Sequence, residues 1–354
     1  MNALFFWEKV GGLTLAHKCN PYGPLLALSM KKQGIQFELG DYEFEKEYLE
    51  KKRKTTDVLH FNWIRHFYLA DDLQTAIKRL NQFAENLHFA RSLNYRLIWT
   101  LHNFYPHERK FHDLDHLAPL IMCDNADHVI AHCNYSANLA RKYFYRTENL
   151  HVIPHGNYID AYPNTISKSE ARQQLNIPDN AFTYVFSGNA RPYKGIDRLI
   201  QAFNTLTDPD AHLLLMMRSS VFPEYTQELL NIAADNPNIH AFTSFFFTPE
   251  EMQTYLNAAD VAVLPFVDVL TSGSAILALS FGKPLVLPNI GCMPELINKT
   301  QGILFDPSDP NGLQKSLAKV REYNLVDAER AAFARAQELN WDTIAQQLAT
   351  LYKA

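Results

Sequence analysis

The chain has 354 residues, 47% of them hydrophobic, and a formal charge of −5. That length suits two globular domains of roughly 100–200 residues each, the apolar content leaves little room for extended disorder, and the charge gives no whole-chain attraction to nucleic acid. Cys19, Cys123, Cys133 and Cys292 are scattered without a C-x-x-C pair, which argues against a structural zinc site and for a reducing, cytoplasmic setting.

Residues 1–9 lack a basic leader region and a long apolar core, so residues 3–7 read as a first strand. No run approaches the ~18 apolar residues of a membrane span, and the expectation is a protein that is soluble or only peripherally bound. A helix is expected around residues 25–30, and strands at 58–61 and 97–101. Between those strands Leu73, Ile77, Leu80, Phe83, Leu87 and Ala90 step by three or four, which predicts a long helix with these residues in the core. The basic run Lys51-Lys-Arg-Lys54 follows an acidic stretch and reads as a solvated helix end. Strands at 129–132 and 150–153 continue the alternation up to Pro154-His-Gly-Asn157, and the polar, Pro163-interrupted stretch that follows sets a domain boundary.

The second half repeats the pattern, with strands at 184–186, 213–217, 240–242, 261–265 and 285–287, and an amphipathic last segment at 341–352. Strands alternating with helices from end to end predict parallel sheets covered by helices. The division is a first domain at 1–162, a second at 163–338, and a final helix at 339–354 that crosses back to the first.

Two segments of the second half carry phosphate-binding chemistry. In Val185-Phe-Ser-Gly-Asn-Ala-Arg191-Pro-Tyr-Lys194-Gly195, a strand runs into a helix marked by Ile196, Leu199, Ile200 and Phe203. Arg191 and Lys194 on that connection would project beyond the carboxyl end of the strand, where open α/β sheets bind ligands; a solvated loop with two surface cations is the plain alternative. The second segment, Leu264 to Ser274, leads through Thr271, Ser272, Gly273 and Ser274 into an apolar helix. Hydroxyls and helix-start N–H groups there would receive an anion, unless Ser272 is an ordinary N-cap. Together the two segments would form a diphosphate cradle.

These segments, with Phe281-Gly-Lys-Pro-Leu-Val286 and Gly291-Cys-Met-Pro-Glu295, resemble the donor domain of glycosyltransferases of the two-Rossmann GT-B fold, family 4 and related bacterial exopolysaccharide transferases. Asn20-Pro-Tyr22, Thr100-Leu-His102-Asn103, Pro106-His-Glu108, Asn157 and Trp341 extend the resemblance to the first half, and the set is similar to the xanthan and acetan mannosyltransferase group. The resemblance implies two Rossmann-like α/β domains facing across a cleft. It also implies a UDP- or GDP-linked sugar donor, no cofactor and no metal, a glycan or lipid-linked acceptor, no nucleic acid partner, and peripheral contact with the inner face of the plasma membrane. Family 4 carries two glutamates eight positions apart; here Val269 and Leu277 stand at those positions. Glu295 is then a candidate for the ribose contact, and the β-linkage chemistry of the xanthan-type group favours inversion.

An inverting transfer needs one general base for the acceptor hydroxyl. The candidates are Glu108, His107, His17 and Glu8. By analogy His102 touches the donor sugar. Gly11 and Gly12 allow close approach of backbone to the diphosphate or make a flexible turn, while Tyr22 and Trp63 are placed on the acceptor side. In Phe245-Phe-Phe247 a ring could stack on a nucleobase, with packing the simpler role. Asp113-Leu-Asp115 has metal-pair spacing but reads as helix surface. The rival readings are a retaining family 4 transferase, a nucleotide-sugar epimerase or hydrolase, and a non-catalytic nucleotide-sugar-binding partner.

Overall fold

The computed structural model describes residues 1–8, 12–15, 20–42, 44–219 and 222–354. The chain divides into two compact units, Met1–His155 with Trp341–Ala354, and Gly156–Asn340. The first junction therefore falls at His155, where the sequence reading sets it at 162.

Six parallel strands build the first unit: β1 (Asn2–Phe6), β2 (Gln36–Leu39), β3 (Val58–Phe61), β4 (Arg96–Leu101), β5 (His128–Ala131) and β6 (Leu150–Val152), in the order β2-β1-β3-β4-β5-β6. Strands β1 and β3 are buried almost throughout, as both faces of a parallel sheet are covered by helices. Phe6 stacks on Phe61 at 4.7 Å, and Phe67 stacks on Phe83 of the long helix at 4.4 Å. That helix, Leu73–Ser92, starts at an Asp72 cap whose carboxylate accepts from the Thr75 N–H. It buries Ala76, Leu80, Phe83, Leu87 and Ala90, but Leu73 and Ile77 are 51% and 42% exposed. The expected core stripe is corrected there: Ala76 occupies the inward position, and Ile77, one residue on, is turned about 100° away. Lys51, Lys52 and Arg53 lie in the last turn of the helix Lys46–Arg53, where cations suit the dipole, and Lys52 pairs with Glu38.

The last helix, Trp341–Lys353, belongs to this unit and buries Trp341, Ile344, Leu348, Leu351 and Tyr352. Burial of each of its large apolar side chains contributes about 1.5–3 kcal/mol. The Tyr352 hydroxyl lies 2.6 Å from His60 Nδ1 inside the core, and Trp341 meets Tyr22 edge-on at 5.3 Å.

The second unit also has six parallel strands: β7 (Phe182–Asn189), β8 (Ala211–Arg218), β9 (Ile239–Ser244), β10 (Val261–Val263), β11 (Leu285–Pro288) and β12 (Gly302–Phe305), ordered β12-β11-β10-β7-β8-β9. Beside them Asp260, 3% exposed, accepts from Arg172 Nη2 at 2.8 Å and from the Thr183 N–H at 2.7 Å, and also pairs with Lys168. Buried Asn157 accepts a place in the same unit through its N–H to Leu339 O and its Nδ2 to Ala336 O, both 2.9 Å, so the beginning and end of the unit meet. Among the described residues no helix is long and apolar enough to cross a membrane.

Candidate functional site

In each sheet the strand order reverses beside the first strand, between β1 and β3 in the first unit and between β7 and β10 in the second. Carboxyl ends at such a reversal leave a crevice, because the flanking connections depart in opposite directions.

In the second unit β7 ends at Asn189 and continues through Arg191 into a short 3-10 turn, Pro192–Lys194. Gly195 closes the turn at φ +66°, and a Cβ there would stand 2.3 Å from the Pro265 carbonyl oxygen, so only glycine lets the turn sit this close to the segment after β10. The Val267 N–H donates to Tyr193 O at 2.8 Å and fixes the same approach. Lys194 is half-buried, with Nζ 4.6 Å from the centre of the Phe266 ring and 5.2 Å from that of Tyr193. Burial, followed by the charge of Arg191, pushes its pKa down to about 8.

The second predicted segment lies alongside. Ser272 is the N-cap of the helix Gly273–Ser280, its Oγ accepting from the Ala275 N–H at 3.2 Å. The cap role is thus real. A Cβ on Gly188 would lie 3.5 Å from Ser274 Oγ, so the two segments that the sequence separates by more than seventy residues are brought together. Thr271 and Ser274 are half-buried and Ser272 is buried. The Cys292 N–H donates to Leu270 O at 2.9 Å and holds the segment leading to Glu295 beside this turn; Glu295 is exposed on the short helix Met293–Leu296, its carbonyl accepting from Arg335. Val269 and Leu277 are both buried. Phe247 packs on Tyr255 and Phe246 lies under Arg218, while Phe245 is 70% exposed.

The first unit gathers aromatic and imidazole rings at the ends of β1, β3, β4 and β5. Trp7 stacks on Trp63 at 4.2 Å, and His102 contacts Tyr22 edge-on at 5.0 Å and Trp63 at 5.4 Å. Trp7 approaches the first helix so closely that a Cβ on Gly23 would clash with its ring. The predicted His102, Tyr22 and Trp63 thus meet. Polar groups hold them: Asn62, 2.9 Å from His102 Nε2, and His60, 2.7 Å from Thr100 Oγ1, both in the segment that ends at Trp63; and two to which the sequence reading gives no site role, His132, 3.3 Å from His102 Nδ1, and His155, 4.7 Å from Tyr22 ring to ring. Asn62, His132 and His155 each come just after a strand, and that recurrence is the signal that could have found them. Burial pushes the His60 pKa down to about 3, and it lowers Tyr22 acidity.

Of the base candidates, Glu108 and His107 are half-buried on the connection after β4, where the Glu108 carbonyl accepts from Arg65 Nη2 at 2.7 Å. Glu8 is half-buried just after β1, and its charge raises the pKa of Tyr42 further after burial has done so. Gly12 is in the left-handed region at φ +59° with open space around it. Gly11 and His17 lie outside the described residues. Asp113 is exposed, but Asp115 is buried and accepts from Tyr68 at 2.8 Å and Arg109 at 3.4 Å, so the surface reading of that pair fails at Asp115. Among the described residues no three His, Cys, Asp or Glu side chains are grouped to hold a metal ion.

Two Rossmann-like parallel-sheet units, each with its polar cluster at the strand reversal, define the GT-B class of fold seen in glycosyltransferase structures. Residues 167–338 match the family model of glycosyl transferases group 1, and residues 80–159 match that of glycosyltransferase family 4. The chain is 26% identical over 242 residues to a D-inositol 3-phosphate glycosyltransferase of Corynebacterium efficiens, covering 65% of this chain and 57% of the relative. It is 26% identical over 212 residues to the lipopolysaccharide 1,2-N-acetylglucosaminetransferase of Salmonella typhimurium, covering 55% and 54%. The chain thus spans less than two thirds of the length of these curated relatives. Among solved structures it resembles the sucrose-phosphate synthase of Thermosynechococcus elongatus (TM-score 0.75, 18% identity, 99% of this chain and 98% of that one). It also resembles Anabaena HepE in complex with UDP and glucose (TM-score 0.74, 20% identity, all of both chains).

Proposed function

We propose that this chain is a glycosyltransferase that moves a hexose from a nucleoside-diphosphate sugar to a glycan or lipid-linked glycan, with inversion and without a catalytic metal. The observation that carries this reading is that the turn bearing Arg191 and Lys194 packs against the segment after β10, at Pro265 and Val267, while the end of β7 at Gly188 approaches Ser274 of the helix start. Cleaving the bond to the anomeric carbon places negative charge on the leaving diphosphate. Two cations and a helix N-terminus stabilise that charge more as it develops than in the resting donor, which is the condition for lowering the barrier. A carboxylate or imidazole of the first unit, with Glu108 ranked first, takes the acceptor proton.

The structural neighbour with bound UDP and glucose supports a uridine donor ahead of a guanosine one. The resemblance to exopolysaccharide transferases supports surface-glycan synthesis on the inner face of the plasma membrane, with peripheral contact to its lipid. One observation favours a second reading. Val269 and Leu277 place buried apolar side chains where family 4 has carboxylates, as expected of a partner that binds sugar nucleotides without turning them over.

Thermal unfolding of the full chain with UDP, GDP, ADP, CMP and dTDP, without metal, tests the donor site. A nucleotide at about 100 times its Kd stabilises by about 2.7 kcal/mol. A rise with one diphosphate identifies the donor base, and no rise with any at millimolar concentration overturns the reading. Turnover of the matching sugar nucleotide with and without acceptor then separates transferase, hydrolase and binding partner, and the product anomer separates inversion from retention.

A further inference from the structure

Each sheet closes at one edge on two strands that carry one histidine apiece: His128 on β5 with His151 on β6, and His212 on β8 with His240 on β9. The register repeats as well. Ile130 stands opposite His151 and Leu214 opposite His240, so in both pairs the first histidine lies two residues nearer the amino end of its strand, on the same face as the second. His128 Nδ1 is 3.1 Å from His151 Nε2, and His212 Nδ1 is 3.0 Å from His240 Nε2. All four side chains are half-buried, and among the described residues none of the rings has another hydrogen-bond partner.

Two imidazoles at this separation match neighbouring ligands of one ion. Nitrogens 3.0 Å apart can each lie about 2.1 Å from a common centre, at an angle of about 90°. The hydrogen held between the rings then moves to the outward nitrogen of the ring that carries it, and this change of tautomer releases no proton. Burial lowers the pKa of all four histidines, so that they are neutral ligands at neutral pH.

The surrounding charges separate the two pairs. Arg146 acts on both His128 and His151, Arg96 adds to it at His128, and the Asp127 carboxylate accepts from the Leu97 N–H at 2.7 Å. The Arg146 guanidinium, bonded to the carbonyls of Cys123 and Asp127, opposes a second cation there. Beside His212 the Arg172 guanidinium is matched by the Asp260 carboxylate at 2.8 Å. Asp210, exposed and two residues before His212, favours positive charge at that ring, and among the described residues nothing bonds to its carboxylate.

We propose that His212 and His240 form an open two-imidazole site for a late first-row divalent ion, Zn²⁺, Ni²⁺ or Cu²⁺, which ties the edge strand β9 to β8 with water in its remaining positions. Among the described residues no third His, Cys, Asp or Glu completes the set. The site stands at the amino ends of these strands. Arg218, at the carboxyl end of β8, is roughly 20 Å away along the strand. The ion therefore takes no part at the crevice beyond β7, and the proposal does not depend on the donor reading.

Calorimetric titration of the tag-free full chain with ZnCl₂ at pH 7.5, in a buffer that does not bind metal, tests it. One ion per chain is expected, with binding lost in His212→Gln and in His240→Gln and kept in His151→Gln. On the wild-type protein labelled with 15N-histidine, Zn²⁺ should shift one Nδ1 and one Nε2 resonance, from two different rings, which needs no variant to fold. No saturation by about 1 mM Zn²⁺, or binding unchanged in His212→Gln and His240→Gln, overturns the proposal. Zn²⁺-induced shifts that persist in His240→Gln do the same. UDP-glucose binding should be the same with and without the ion, so the outcome is separable from that of the donor site.

Discussion

Donor affinity should fall steeply between pH 7 and pH 9 because the principal cation of the cradle titrates there. Lys194 packs against Phe266 and Tyr193 beside Arg191, and its pKa is pushed down to about 8. A lysine depressed in the folded state weighs on stability below that value, where the charged form is forced into a poor environment; the burden begins to lift there and is gone only as pH reaches the ordinary lysine range. A diphosphate reverses the preference by binding the charged form. The charged fraction of the free protein drops from about 0.9 at pH 7 to about 0.1 at pH 9, so affinity drops about tenfold, or about 1.4 kcal/mol. Titration calorimetry with the sugar nucleotide from the panel, run at pH 7, 8, 9 and 10, measures it. Lys194→Arg, whose charge persists above pH 12, should remove the extra fall around pH 8 while keeping affinity at pH 7 within a few-fold. An affinity slope unchanged by that substitution would refute the assignment of Lys194 as the titrating contact.

Glu108→Gln should leave donor affinity nearly intact and abolish transfer, measured by calorimetry and by product formation; unchanged transfer moves the base to Glu8, His17 or His107. Asp260→Ala strips the buried Arg172 of its carboxylate, as well as the Thr183 N–H of its acceptor, and should cost about 3–5 kcal/mol in urea unfolding. A loss under about 1 kcal/mol would mean that water replaces the carboxylate. Gly195→Ala meets both the left-handed backbone and the Pro265 carbonyl, so nucleotide affinity should fall together with a destabilisation of about 1–2 kcal/mol from the conformation alone. Unaltered values of both would show that the turn relaxes freely.

The buried strands were legible because both faces of a parallel sheet demand apolar residues, and residues 58–61 coincide with β3. Strands β2 and β12 escaped, since at the sheet edges they are only partly covered and Gln36-Phe-Glu-Leu39 carries no continuous apolar run. Arg191, Lys194 and the Thr271 turn were legible because glycine and hydroxyl residues cluster locally in sequence. The His102 and His132 pair was not: each histidine is solitary in the sequence, and only the pairing of β4 with β5 sets them side by side.

The docking of residues 341–354 into the first unit separates the order of synthesis from the order of completion. A ribosome delivers the first 155 residues early, yet the hydroxyl that meets His60 arrives on Tyr352, 292 residues later. Until then His60 and the apolar surface awaiting Trp341 and Leu348 stay uncovered, while the second unit has all of its own residues in hand. The later-made unit is thus free to fold first, and the cluster of imidazoles and indoles matures only once residues 341–354 have been made.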